Sequence, residues 1–150
     1  MNKTSTMSKT STMSKTLTVI VAVATLAAGC GGGASIDDVW ARPSPPTAEN
    51  AAFYFTATVD EGDRLVAAES PACGRTELHI SQMQDGLMTM RPADTGQLTA
   101  SDGTLVLEPG GLHVMCMQLV APLVEGDEVD LTVTFEQAGE IDLTVSIEDR

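Results

Sequence analysis

Short runs of alternating apolar and polar residues follow one another along this 150-residue chain from Val39 onward, and each ends at a turn signal. No segment keeps a helical period. The runs are rich in β-branched and aromatic residues, and Asp85-Gly86 is a strong signal for a two-residue hairpin. About eight to ten such strands predict a single all-β domain, an antiparallel sandwich or barrel with Greek-key connections. The clearest predicted strands are 51–59, 64–68, 76–83, 87–91, 105–107, 112–120, 129–135 and 141–147.

The first 29 residues have the pattern of an export signal. A polar stretch with three lysines and no acidic residue precedes an apolar run, 17–28, that is too short for a permanent membrane helix. The run ends in Leu26-Ala27-Ala28-Gly29-Cys30, which resembles a lipobox, although Ala27 stands where leucine is usual. Residues 1–29 are therefore predicted to be a signal peptide with a lipobox, and Cys30 is predicted to be lipidated. The alternative is an ordinary secretory signal that is cleaved nearby.

A flexible tether is predicted between the lipidated cysteine and the folded domain. Gly31-Gly32-Gly33 has no side chains that could pack, and glycine-rich segments behave as flexible coils. We expect residues 30–38 to be the lipidated cysteine with its tether and residues 39–150 to be the domain. The predicted location is the extracytoplasmic face of the cell membrane.

The large aromatic side chains Trp40, Phe53, Phe55 and Phe135 are expected in the core of the domain.

The exported part of the chain is strongly acidic. All three lysines lie in the leader, so that only five arginines oppose 21 acidic residues after Cys30, a net charge near −16. Such a surface repels phosphate backbones, which argues strongly against nucleic acid as a partner. Solubility outside the cell is the simplest explanation of the charge, and attraction of cations is the alternative.

Two cysteines, Cys73 and Cys116, remain after the lipobox cysteine. An even pair of cysteines in an exported domain is typical of a disulfide. We therefore expect Cys73 and Cys116 to be joined. The alternative is that one of them is a thiolate ligand of a metal ion.

The potential metal ligands of the domain are concentrated in one stretch of the sequence, 79–117. This stretch contains both histidines, His79 and His113, and every methionine that follows the leader. Thioether sulfur is a soft, uncharged ligand that favours Cu(I), and imidazole binds copper in either oxidation state. The pattern therefore predicts a copper site. The methionines are Met83, Met88, Met90, Met115 and Met117.

Strand alternation sorts these candidates by face. In the predicted strand 112–120, His113 and Met115 point to the same side, so that both can reach one ion, whereas Cys116 points to the other side. This argues against Cys116 as a ligand beside His113. Met88 and Met90 also share a face, and the two pairs can converge if the sheet folds over.

The spacing of these residues resembles that of the periplasmic copper chaperone family PCu(A)C. In that family a histidine is followed after ten residues by a methionine, and after about twenty-one more by His-x-Met. Here ten residues separate His79 from Met90, and a gap of 22 residues precedes His113-Val114-Met115, one more than is usual. The extra residue is expected in a loop between strands. Further segments that resemble the family are Val39-Trp40-Ala41-Arg42, Asn50-Ala51-Ala52-Phe53-Tyr54, Asp63-Arg64-Leu65, Gly86-Leu87-Met88-Thr89-Met90-Arg91-Pro92, Pro109-Gly110-Gly111-Leu112-His113 and Pro122-Leu123-Val124-Glu125-Gly126-Asp127.

The resemblance implies a cupredoxin-like β-sandwich and a role in delivering Cu(I), notably to the binuclear copper centre of cytochrome c oxidase. It implies that one Cu(I) is held by His79, Met90, His113 and Met115. Met88, Met83 and Met117 are the secondary candidates. The expected protein is a monomeric, lipid-anchored copper chaperone without enzymatic activity, and its expected partner is an oxidase subunit or an assembly factor.

Two other classes of protein fit parts of the pattern. An electron-transfer cupredoxin needs a cysteine thiolate with two histidines and a weak axial methionine. A metal-free β-sandwich with an assembly or adhesion role would bind no copper in stoichiometric amount. Enzymatic catalysis fits poorly, because no Ser/His/Asp set or paired-carboxylate motif stands out in the sequence.

Overall fold

The computed structural model describes residues 33–150, and this part of the chain is all-β, as the sequence predicts. The predicted signal peptide, the lipobox and Cys30 lie outside the described residues. Between residues 33 and 150 no helix is long and apolar enough to cross a membrane. The nine strands are β1 (Ser35–Ala41), β2 (Asn50–Thr58), β3 (Leu65–Glu69), β4 (Cys73–Gln84), β5 (Leu87–Pro92), β6 (Thr104–Leu107), β7 (Leu112–Leu119), β8 (Glu128–Phe135) and β9 (Gly139–Ile147).

The strands form one hydrogen-bonded sheet in the order β3-β8-β9-β1-β2-β7-β4-β5, with β6 also paired to β2. β2 changes partner along its length. Its first part, Asn50–Phe53, pairs with β7, and its second part, Phe55–Thr58, pairs with β6. β1 lies parallel to β9, and every other pairing is antiparallel. The last strand therefore returns to lie beside the first.

The core is formed by the inward-facing side chains of these strands, and alternation supplies them. Phe53, Phe55 and Phe135 are fully buried in it, as predicted. Trp40 is also buried, but outside this core cluster. Its ring packs 4.8 Å from the ring of Tyr54, and the guanidinium of Arg150 lies 4.5 Å from its centroid.

The folded domain begins earlier than the sequence indicates. β1 starts at Ser35, so that residues 35–38, which the sequence predicts to be part of the tether, belong to the sheet. Ser35 and Ile36 pair with Thr58 and Ala57 of β2. The partner strand, which lies far away in the sequence, orders this polar segment, and local composition does not reveal such a partner.

The hairpin between β4 and β5 has the turn that Asp85-Gly86 predicts. Both residues have positive φ angles, 51° for Asp85 and 80° for Gly86, as a type I′ turn requires. The turn fixes the register of the two strands, in which Met83 is opposite Met88 and Ser81 is opposite Met90. The hairpin therefore presents three methionines on one face.

Candidate metal centre

Two adjacent strands, β4 and β7, bring the two histidines together. β7 lies between β2 and β4, and His113 of β7 is directly opposite His79 of β4. Two residues further along β7, Met115 is opposite Glu77 of β4. Since alternate residues of a strand share a face, His79, His113 and Met115 all lie on one side of the sheet. The centroids of the two imidazole rings are 6.1 Å apart, and the rings meet edge to face.

A backbone carbonyl orients the ring of His113. This side chain is only 2 % exposed, and its Nδ1 lies 3.1 Å from the carbonyl oxygen of Gly111. Because a carbonyl can only accept a hydrogen bond, Nδ1 carries the proton in the neutral ring and Nε2 keeps its lone pair. Nε2 is buried and has no hydrogen-bond partner. In histidines that bind metals, the ring nitrogen that does not coordinate typically donates a hydrogen bond of this kind, which fixes the other nitrogen as the ligand.

A carboxylate orients the ring of His79. Nε2 of His79 donates to Oε2 of Glu77 at 2.8 Å, and the other carboxylate oxygen of Glu77 accepts from Nη1 of Arg75 at 3.0 Å. This leaves Nδ1 of His79 as the ring nitrogen with a free lone pair, and it too is buried without a partner. Buried polar atoms are nearly always hydrogen-bonded, so two such nitrogens on neighbouring strands call for a ligand.

The protonation state of His113 suits coordination. Burial, which disfavours the charged ring, lowers the pKa of His113, and the nearby His79 lowers it further. The hydrogen bond to Gly111 opposes these effects, but the pKa stays below its ordinary value. The imidazole of His113 is therefore neutral at neutral pH, which is the form that binds a metal ion.

A cavity of about 370 Å³ lies beside His113. Met90 and Met115 line it together with His113, while His79 is not among the lining residues. Met90 is 59 % exposed and Met115 is half-buried. The structure therefore brings three of the four expected ligands around one cavity and places the ring of the fourth against His113. The other lining residues include Met88, Ser81, Tyr54 and Arg42.

The two remaining methionines have different surroundings. The sulfur of Met117 accepts a hydrogen bond from Nη2 of Arg75 at 3.3 Å, in the row of the sheet beyond Met115. One of the two lone pairs of this sulfur is therefore engaged by a cationic side chain, which separates Met117 from the other candidates. Met83 is 65 % exposed near the end of the hairpin and does not line the cavity beside His113.

Cys73 and Cys116 are joined by a disulfide, and their Cα atoms are 5.4 Å apart. Cys116 is fully buried on the core face of β7, opposite to the face that carries His113. Sulfurs joined in this way supply no thiolate. The bridge links β4 to β7, the two strands that carry the histidines.

The donors that converge on this face are imidazole and thioether. Among residues 33–150, no group of three or more His, Cys, Asp or Glu side chains is arranged to hold a metal ion. A larger cleft of about 840 Å³ lies between β3 and β4, and its lining in the described part of the chain includes Glu69, Arg75 and Glu77 but no histidine or methionine. Soft donors are therefore concentrated at the smaller cavity.

Sequence reasoning missed the groups that orient the two rings. Glu77 precedes His79 by two positions in a strand, so a shared face could have indicated the contact. The carbonyl of Gly111 has no signal in the sequence, because any residue supplies a carbonyl. The sequence also does not indicate that Tyr54 lies near this site, although its ring centroid is 6.4 Å from that of His113.

Comparisons with known proteins agree with this architecture. The chain is 30 % identical over 118 residues to Lxx21020 of Leifsonia xyli subsp. xyli (strain CTCB07), which is named as a lipoprotein; the match covers 78 % of this chain and 70 % of that protein. The apo PCuAC domain from PmoF1 has a TM-score of 0.64 at 24 % identity, covering 79 % of this chain and 97 % of that domain. The solution structure of CuI-DR1885 from Deinococcus radiodurans has a TM-score of 0.55 at 28 % identity, covering 81 % and 83 %.

The fold is therefore that of a PCuAC domain, which confirms the expected cupredoxin-like class. The family model described as lipoprotein LpqE-like matches residues 34–147. The chain belongs to this LpqE-like family, and the resemblance to the PCu(A)C family that its histidines and methionines carry is confirmed.

Proposed function

We propose that this protein is an extracytoplasmic copper chaperone that binds one Cu(I) through His79, Met90, His113 and Met115. The observation that carries the proposal is the pair of buried ring nitrogens without a partner, Nδ1 of His79 and Nε2 of His113, on a face that also presents methionines. An unpaired buried nitrogen costs folding stability, and a bound ion would remove that cost. Two imidazoles with two thioethers form the soft, neutral donor set that Cu(I) prefers.

The proposed ligands suit transfer as well as binding. None of these four side chains carries a negative charge, so the bound ion stays cationic and is held without strong electrostatic attraction. Their exposure also differs, from 2 % for His113 to 59 % for Met90. An acceptor would displace Met90 first and the buried imidazole of His113 last. The proposed role is binding and transfer of the ion, without catalysis.

Similar proteins support the assignment of copper as cargo. The protein DR1885, which is 28 % identical to this chain, is described with bound Cu(I). A copper-bound PCuAC domain from PmoF2 has the same fold, with a TM-score of 0.60 at 23 % identity. The imidazole and thioether donors of this chain supply the chemistry that such cargo needs.

We further propose that the protein is exported and anchored by a lipid on Cys30. The family description and the name of the Leifsonia protein, both of which refer to lipoproteins, support this proposal. A domain tethered at the membrane surface would meet membrane-bound acceptors at a raised effective concentration. The proposed acceptor is a copper-accepting membrane protein such as the cytochrome c oxidase copper centre, served by a monomeric chaperone.

A Cu(I) titration against a chromogenic chelator tests the proposal. We expect the purified protein, with its disulfide intact, to bind about one equivalent of Cu(I) tightly. Met90→Leu and Met115→Leu keep the side-chain volume but remove the sulfur, so both variants should fold normally and bind Cu(I) more weakly. Met117→Leu is the matched control, because its sulfur is engaged by Arg75.

Unchanged Cu(I) affinity in both Met90→Leu and Met115→Leu would show that the proposed ligand set is wrong. An absence of stoichiometric copper in the unmodified protein would favour the metal-free assembly or adhesion role. Intense absorption near 600 nm after loading with Cu(II) would favour electron transfer, because that band arises from a copper–thiolate bond.

A further inference from the structure

The β4–β5 hairpin exposes three methionines beside the proposed copper site. Met83, Met88 and Met90 are 65 %, 55 % and 59 % exposed, and they are three of the eight large apolar side chains exposed between residues 33 and 150. Leu87, on the same hairpin, is 70 % exposed. None of these four side chains is part of the core cluster or packed against it. Core packing therefore does not explain why the hairpin carries sulfur.

The strand register brings the sulfurs of Met83 and Met88 within reach of one ion. These two residues are opposite each other, one position beyond the pair that flanks the Asp85-Gly86 turn. The backbone N–H of Ser81 points away from β5 and donates to the carbonyl of Gly111 at 2.9 Å. Met83 lies two residues further along β4, so its backbone groups also point away from β5. Met83 and Met88 therefore form a pair without backbone hydrogen bonds between β4 and β5. In pairs of this type the Cβ atoms are about 4.5–5.5 Å apart and the side chains are closest.

The same pair is continuous with the proposed inner site. Met88 lines the cavity beside His113 together with Met90 and Met115. Met83, Met88 and Met90 occupy alternate positions on paired strands and therefore lie on one face. A path of thioethers thus leads from the exposed end of the hairpin to the buried ring of His113.

We infer that Met83 and Met88 form a second, weaker Cu(I) site through which the ion reaches and leaves the inner site. This inference rests on the proposed function, because it extends the same site outward. Two exposed thioethers bind a soft monovalent cation without any charge of their own and in contact with water, so they exchange it readily. The ion moves between thioether ligands as Cu(I) throughout, so no electron is transferred. The acidic surface of the domain favours the approach of a cation.

Methionine methyl NMR of the full-length protein tests the second site. The protein is labelled with ¹³C at the methionine methyl groups and titrated with Cu(I) under reducing conditions. The first equivalent should shift the signals of Met90 and Met115. A second, weaker equivalent should shift those of Met83 and Met88, while Met117 should respond to neither.

The Met83→Leu variant separates the two sites functionally. Its tight Cu(I) affinity should stay within about twofold of the unmodified protein, since Met83 does not contact the inner cavity. The second equivalent should be lost, and transfer of Cu(I) to a chelator should slow about tenfold, because the exposed ligand pair no longer holds the ion close to the inner site. Met117→Leu, on the same face, should transfer Cu(I) at the unmodified rate.

The outcomes distinguish this inference from the proposed function. Methyl signals of Met83 and Met88 that do not shift at the second equivalent would overturn the outer site, even if Met90 and Met115 respond as expected. A normal transfer rate in Met83→Leu would overturn its role in exchange. If Met90 and Met115 fail to respond to the first equivalent, the proposed inner site itself is wrong.

Discussion

Glu77 should control the affinity of the proposed site without touching the ion. Its Oε2 accepts the hydrogen bond from Nε2 of His79 at 2.8 Å and thereby holds Nδ1 as the coordinating nitrogen. Removal of such an outer partner typically weakens metal binding about 10- to 100-fold. The side chain of Glu77 is 37 % exposed, so that water can replace part of the lost contact. We therefore expect Glu77→Ala to weaken Cu(I) binding about tenfold, which corresponds to about 1.4 kcal/mol.

Three measurements check this expectation. Competition with a chelator gives the Cu(I) affinity of Glu77→Ala and of Glu77→Gln, whose amide oxygen can still accept the hydrogen bond and should weaken binding only about threefold. Glu69→Ala is the control, because it removes the same charge from an exposed position on β3. ¹⁵N NMR of the histidine rings should show the proton of His79 on Nε2 in the unmodified protein.

Two results would refute the reasoning. One is an affinity in Glu77→Ala that equals that of Glu69→Ala, because the effect of Glu77 would then be one of net charge alone. The other is a proton on Nδ1 of His79 in the copper-free protein, which would contradict the orientation that the carboxylate is argued to impose.

Three further predictions concern stability and anchoring. The carboxylate of Asp63 is fully buried and accepts hydrogen bonds from the backbone N–H groups of Arg64, Gln137 and Ala138 at 2.7–2.9 Å. Asp63→Ala should therefore lower the free energy of unfolding, measured by urea titration, by about 2–4 kcal/mol. The control is Asp60→Ala, which changes an exposed side chain. Burial acts to raise the pKa of Asp63, but these hydrogen bonds outweigh it and hold the pKa below its ordinary value. The stabilisation is therefore present above about pH 4 and is lost as the pH falls through the folded pKa. The difference in unfolding free energy between the unmodified protein and Asp63→Ala should shrink accordingly in acid. Reduction of the bridge between Cys73 and Cys116 should cost about 2–4 kcal/mol of stability. Alkylation of the untreated native protein followed by mass measurement should find neither cysteine alkylated, and two alkylated thiols would contradict the bridge. Cys30→Ser should release the protein from membranes with unchanged Cu(I) affinity, and a variant that stays in the membrane fraction after salt washing would contradict the lipid anchor.

Most of the sheet is predictable because its signals are local. Alternating residues and the Asp85-Gly86 turn indicate the strands and the hairpin without knowledge of their partners. The start of β1 at Ser35 is not predictable in this way, because its polar residues are ordered by pairing with the end of β2. The clamp around Asp63 is hidden for a similar reason, since its donors Gln137 and Ala138 lie more than seventy positions away in the sequence.

In the candidate site too, the residue types can be predicted from local sequence, whereas their contacts depend on the fold. The residue types and spacing of His79, Met90, His113 and Met115 indicate soft metal ligands, and strand alternation aligns His113 with Met115. The direct opposition of His79 and His113 depends on the register between β4 and β7, which only the fold determines. The hydrogen bonds that select the coordinating nitrogens likewise depend on tertiary structure, because Gly111 acts through its backbone.

X-ray absorption at the copper edge of the Cu(I)-loaded protein tests the central claim most directly. The account predicts a first shell that contains both nitrogen and sulfur, with two of each, and a loss of one sulfur in Met90→Leu and in Met115→Leu but not in Met117→Leu. A first shell of nitrogen and oxygen alone, or a sulfur contribution that survives both substitutions, would contradict it.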